Sequence, residues 1–212
     1  MQKLILVVIF LFGFIVIQCN DCRDINSVMK AEVITNEEAL LVAAQAGSIT
    51  EVDSLVSEGV DVNYINSDGI SALMYASENG FIDVMISLIT AGADTSVKDG
   101  CGWTVLMYAA YYGAIDLVNS LIANGSDVAA QCDNGVTALM SGINSSADVT
   151  NALIAADADI NAKNSGGWTA LMYASASFSV ESTNALIAAG ADTSVKNNDG
   201  KTAYDISQMP RS

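Results

Sequence analysis

A glycine-led block of eight residues returns four times in this chain at nearly constant spacing, and that period constrains the fold more than any other feature. The blocks are Gly69-Ile-Ser-Ala-Leu-Met-Tyr-Ala76, Gly102-Trp-Thr-Val-Leu-Met-Tyr-Ala109, Gly135-Val-Thr-Ala-Leu-Met-Ser-Gly142 and Gly167-Trp-Thr-Ala-Leu-Met-Tyr-Ala174. Their glycines lie 33, 33 and 32 residues apart, and Gly200-Lys-Thr-Ala continues the series after another 33. A second series runs in step with it: Leu55-Val56, Leu88-Ile89, Leu121-Ile122, Leu153-Ile154 and Leu186-Ile187. A chain with two phased series is built from copies of one small unit, which bury their apolar faces by stacking on one another.

Within one period the residue types spell a helix, a turn, a second helix and an extended finger. In the second repeat Ser71 stands where an N-cap is wanted, Ala72 to Asn79 form the first helix, and Gly80 supplies the positive φ that ends it. Asp83 opens the next helix, whose Val84, Met85, Leu88 and Ile89 share one face at helical spacing. Gly92 then ends that helix, and Ala93-Asp94 leads into the finger.

The period, the finger glycine, the Thr-x-Leu helix start and the Leu-Ile…Gly-Ala-Asp ending resemble ankyrin repeats over about Asn36 to Gln208. The resemblance implies an all-α ankyrin-repeat solenoid of helix-turn-helix units with extended fingers, five repeats and a C-terminal half-repeat, spanning residues 37–212. It also implies a non-catalytic module that binds a protein partner through its concave groove.

Departures from the family pattern carry their own expectations. Met74, Met107, Met140 and Met172 replace a histidine that ties turns together, and methionine can only fill space. The fourth repeat is one residue short between Leu139 and Leu153 and has Asp157 where a glycine belongs. It is expected to be the weakest link. In the fifth repeat Phe178 replaces the turn glycine, so that turn must differ or carry strain.

Ahead of the repeats, Met1-Gln2-Lys3 precedes an unbroken apolar run from Leu4 to Ile17. Fourteen residues is the length of a signal-peptide core and short of the ~20 that span a membrane. Residues 1–19 therefore read as a signal peptide and 20–36 as a spacer. Val16-Ile17-Gln18-Cys19 resembles a bacterial lipobox with Gln18 out of pattern, which makes Cys19 a candidate for lipid attachment. Ordinary cleavage nearby and an uncleaved anchor are the alternatives. All three place the folded part outside the cytoplasm, as a periplasmic, envelope or extracellular protein. Attachment to a membrane would come only from a lipid or the apolar run.

Composition excludes several kinds of function. With 24 acids against 8 bases, a net charge of −16, the chain repels nucleic acid, and a protein partner is expected to be basic. There is no histidine, which removes His-dependent catalytic and metal chemistry. No phosphate loop, zinc spacing or calcium loop is present, so neither cofactor nor metal is expected. Asp94, Asp127, Asp159 and Asp192 recur once per period and read as hydrogen-bonding residues after a helix end. Cys101 and Cys132 sit in adjacent fingers, but stacked elements lie ~10 Å apart and a disulfide needs Cα atoms within ~7 Å.

What remains is aromatic. By the family's geometry, Trp103 and Trp168, each following a finger glycine, and Tyr75, Tyr108 and Tyr173 on the first helices face the groove or its rim, and Tyr111 and Tyr112 end the third repeat's helix. Their density points to a partner-binding surface. Two other readings stay open: a surface lipoprotein that associates with its own kind, and a carboxylate-based hydrolase.

Overall fold

The computed structural model describes residues 4–10, 13–19 and 32–209, with side-chain surroundings from residue 34 onward. It divides into two compact units, Met1–Ala93 and Asp94–Ser212.

In the first unit the apolar run forms two strands, β1 (Leu4–Phe10) and β2 (Gly13–Cys19), paired antiparallel with Leu4 opposite Cys19. A two-residue strand, β3 (Glu32–Val33), adds to β2. Most of the spacer, residues 20–31, lies outside the described residues. Two helical repeats follow: α1 (Asn36–Ala46) with α2 (Ile49–Ser57), and α3 (Ala72–Asn79) with α4 (Ile82–Thr90). Helix α3 keeps the bounds its sequence implies, and α4 begins one residue before the expected Asp83.

Local chemistry explains these ends. Thr35 caps α1 reciprocally: its hydroxyl accepts from the Glu38 amide at 3.2 Å, and its own amide donates to the Glu38 carboxylate at 2.9 Å. Gly47 ends α1 at φ +72°, and the Phe81 ring stands 2.7 Å from where a Cβ would project. Glycine is needed there on both counts. First helix packs on first helix, α1 on α3, and second on second, α2 on α4, which buries Leu40, Leu55, Leu73, Met85 and Leu88.

The second unit repeats this plan with α5 (Val105–Tyr111) and α6 (Ile115–Ala123), α7 (Ala138–Gly142) and α8 (Ala147–Ala155), α9 (Ala170–Ala176) and α10 (Val180–Ala188), closing on the single helix α11 (Ala203–Ser207). Thr104, Thr137, Thr169 and Thr202 cap the first helices by accepting from the amide three residues on. Met107, Met140 and Met172 are buried, so the methionines do fill the space the family's histidine leaves.

The missing residue of the fourth repeat shortens α7 to five residues. Hydroxyls take up the slack. Ser141 Oγ donates to the Met107 carbonyl at 3.1 Å and Ser145 Oγ to the Ala110 carbonyl at 2.7 Å, both on α5. On the other side Ser182 of α10 meets Thr150 at 3.3 Å and the Ile143 carbonyl at 3.3 Å. Gly142 lets the helices close up, since a Cβ there would stand 2.8 Å from Val149 Cγ1 and 3.2 Å from Ala110 Cβ. Asp157 and Phe178, at the two positions that lack the expected glycine, nevertheless adopt left-handed backbone, φ +59° and +58°. The turns keep their shape and carry the strain.

Among the described residues no helix is long and apolar enough to cross a membrane.

Candidate functional site

Three fingers of the second unit turn on one side chain three residues before the finger glycine: Asp99, Asn164 and Asn197. In the third repeat this is Asp99, whose Oδ1 accepts from the amides of Cys101 and Trp103, both at 2.8 Å. Its other oxygen, Oδ2, accepts the Tyr108 hydroxyl proton at 2.6 Å. One carboxylate thus fixes the finger tip and a tyrosine on α5 together. In the fifth repeat Asn164 plays the same part, accepting from Gly166 and Trp168 amides at 2.9 Å and donating from Nδ2 to the Tyr173 hydroxyl at 2.8 Å. Burial pushes the Tyr173 hydroxyl above its ordinary pKa, against the lowering effect of that bond.

These anchors set the aromatic surface. Trp103 lies against Tyr108, ring centroids 5.0 Å apart, and meets Tyr111 edge-on at 6.1 Å. Tyr111 and Tyr112 are themselves edge-to-face at 5.1 Å. The inner pair is half-buried, while Tyr111 is 56% and Tyr112 41% exposed. The result is four contiguous rings held on a fixed base and open outward.

Of the residues singled out in the sequence, the structure brings Trp103, Tyr108, Tyr111 and Tyr112 into one cluster. Trp168 and Tyr173 form a second pair in the same unit, centroids 5.4 Å apart. Tyr75 is half-buried on α3 of the first unit. Cys19 closes β2, and its side chain lies outside the described residues.

Asp99 and Asn164 are the residues whose structural role the sequence reading passes over. The signal was there: Asn66, Asp99, Asn164 and Asn197 all stand three places before a finger glycine, and Cys132 replaces them in the fourth repeat. The recurrent aspartates are local turn residues. Asp94, Asp127, Asp159 and Asp192 each accept from the amide two residues on, at 2.8 to 3.0 Å. Ser96 and Ser194 hydroxyls also donate to Asp94 and Asp192, and these bonds hold both carboxyls below their usual range. Cys101 is exposed, Cys132 is buried, and both are free thiols. Among the described residues no group of three or more His, Cys, Asp or Glu side chains is arranged to hold a metal ion.

Comparison with known families gives ankyrin repeats (3 copies) over residues 7–99 and 86–164, and an ankyrin repeat over 166–198. Among solved structures the chain is similar to the crystal structure of an ankyrin repeat domain from Acinetobacter baumannii AYE, with 27% identity and a TM-score of 0.70 over 81% of this chain and 91% of that one. Comparison with curated proteins yields no match.

Proposed function

Because this chain belongs to the ankyrin repeat family, whose members are generally protein-protein interaction modules, we propose that it is an exported, non-catalytic module that binds a basic protein partner. The observation that carries the reading is the cluster of Trp103, Tyr108, Tyr111 and Tyr112. Large rigid rings, two of them open to solvent, supply contact area at low entropic cost, and Trp and Tyr dominate interface energies. The Trp168–Tyr173 pair extends the same unit's surface, and Tyr75 is the further aromatic position of this reading on the first unit.

Charge supports the basic partner. The chain carries −16 overall, and the Asp99 carboxylate is hydrogen-bonded to the Trp103 amide and the Tyr108 hydroxyl within the cluster. A lysine or arginine laid over Trp103 would meet both a π-face and a nearby anion. Association with such a partner slows as salt screens the field.

Export is supported by the sequence pattern, Lys3 followed by Leu4 to Ile17. Removal of a segment ending at Cys19 takes away Lys3 and no acid, leaving 7 bases against 24 acids. Fractionation is expected to find the protein outside the cytosol, with palmitate labelling that depends on Cys19 if the lipobox route is used. A cytosolic pool of full-length chain rejects export, and labelling that survives Cys19→Ser rejects the lipobox.

The deciding experiment captures the partner from the native envelope and retests it against Trp103→Ala and Tyr112→Ala, with circular dichroism melts alongside. Each substitution is expected to weaken binding by about 2 kcal/mol, close to 30-fold, with the melt of Tyr112→Ala unchanged. Unchanged binding with lowered melts would assign the rings to the fold and reject the reading.

A further inference from the structure

The fingers of the second unit touch one another at their tips. Asp133 donates its amide to the Cys101 carbonyl at 3.0 Å, Ser165 to the Asn134 carbonyl at 2.8 Å and Asn198 to the Gly166 carbonyl at 3.0 Å. The same bond recurs from finger to finger, and each time it sets the residue that supplies the carbonyl against the one just before the amide. Those facing pairs are Cys101 with Cys132, Asn134 with Asn164, and Gly166 with Asn197. Both members of the first pair are thiols, Cys101 exposed and Cys132 buried.

The ~10 Å spacing of packed helices does not hold at these tips. A planar trans peptide puts the Cys132 Cα beside the Asp133 N–H, so a near-linear bond of 3.0 Å to the Cys101 oxygen leaves the two Cα atoms about 6 Å apart or less. Disulfides span about 4.4 to 6.8 Å between Cα atoms. Gly102 makes the approach possible, since a Cβ there would stand 3.3 Å from the Cys132 Cα and 3.1 Å from the Asp133 nitrogen. Gly100 and Gly102 flank Cys101, and their wide backbone range lets the tip settle as two sulfurs join. Cys132 also deprives its finger of an anchor. The other fingers carry Asn66, Asp99, Asn164 or Asn197 at this place, whose side-chain oxygen accepts two amides of the turn, and a thiol is a weak acceptor.

We propose that Cys101 and Cys132 are a redox pair, and that a disulfide between them clamps the third finger, which carries Trp103 two residues on, to the fourth. The order of events follows their exposure. The Cys101 thiolate attacks the disulfide of a thiol–disulfide oxidoreductase or of oxidised glutathione, which gives a mixed disulfide and releases one thiol. The Cys132 thiolate then attacks the Cys101 sulfur and expels the second thiol. Two electrons and both thiol protons leave with the oxidant, which departs as two thiols. In the cell the clamp rests on the export proposed above, because such bonds persist in oxidising compartments.

The test equilibrates the purified full chain with oxidised and reduced glutathione, blocks the remaining thiols and cuts on the amino side of aspartate, which separates residues 99–115 from 127–132. Mass spectrometry is expected to find these two peptides joined. Thermal melts are expected to rise by several degrees over the reduced chain, with no such rise in Cys101→Ser. Peptides that stay separate, a bond from either cysteine to Cys19 or Cys22 instead, or an equal rise in Cys101→Ser overturns the proposal. The oxidant is supplied in the tube, so a chain found in the cytosol would refute export and leave this result standing.

Discussion

Tyr108 donates its hydroxyl proton to Asp99 at 2.6 Å, and in the fifth repeat the polarity is reversed, with Asn164 donating to Tyr173 at 2.8 Å. The same joint between finger and helix therefore works with either side chain. Asp99→Asn is expected to leave stability within about 1 kcal/mol of the parent, because the amide retains the acceptor for Cys101 and Trp103 and offers Nδ2 to Tyr108. Asp99→Ala removes three bonds at once and is expected to cost about 2 to 3 kcal/mol. Urea unfolding followed by tryptophan fluorescence measures both. An equal loss in the two variants would show that the charge, not the geometry, holds the finger.

The fourth repeat offers a second measurement. Its short α7 argues for early opening around residues 142–157, and the hydroxyl bonds from Ser145 to the Ala110 and Gly142 carbonyls oppose it. Ser145→Ala is expected to cost about 1 to 2 kcal/mol and to raise native-state hydrogen exchange in 142–157 more than in α5 or α9. If exchange rises evenly across the second unit, the bonds are not what secures this repeat.

Asp157 sits at φ +59° on an exposed turn where the other repeats use glycine. Left-handed backbone costs an L-residue about 1 to 2 kcal/mol, and glycine's greater freedom in the unfolded chain returns about 0.5 to 1. Asp157→Gly is therefore expected to raise stability by roughly 0.5 kcal/mol and the melting temperature with it. A lowered melting temperature would mean that the aspartate makes its turn favourable on its own account.

Acid should release the cap of α11 only below the ordinary carboxylate range. Asp205 accepts from the Thr202 amide at 2.9 Å and from its hydroxyl at 2.8 Å, and these bonds hold its carboxyl below the usual range. A depressed folded-state value means that the cap contributes fully above the unfolded carboxylate value of about 4 and is lost as pH falls through the lower, folded one. The Thr202 amide resonance is expected to move in that window below pH 4. Asp205→Asn should remove the step, and a step that persists in that variant assigns it to another group.

The repeat and its helices were legible because glycine turns, hydroxyl caps and the Leu-Ile faces obey local rules. Ala72–Asn79 could be placed to the residue from Ser71 and Gly80 alone. The ties across repeats were not, since Ser141 and Ser145 reach carbonyls 34 and 35 residues away, and no local pattern marks a serine as the donor of such a bond. The aromatic cluster was half legible. The resemblance to ankyrin repeats pointed to Trp103, Tyr108, Tyr111 and Tyr112, but the base that fixes them depends on the fold of the finger, which brings the Asp99 carboxylate to the Trp103 amide and the Tyr108 hydroxyl. The apolar run from Leu4 to Ile17 reads as a signal from its length and position, and its pairing as β1 and β2 follows no alternation of polar and apolar residues, which is the usual mark of a strand.

The hydroxyl lacing of the fourth repeat also bears on how such a gene can change. Repeats joined only by generic apolar faces can be duplicated, deleted or exchanged by recombination, because any neighbour presents a matching face. The fourth repeat reaches Met107 and Ala110 on one side and receives Ser182 on the other, so it fits one address in the array. Moved elsewhere, its serines would need the same carbonyls at the same height, and α10 would face a carbonyl that no longer waits for Ser182. The array has become a sentence with a fixed word order at this point.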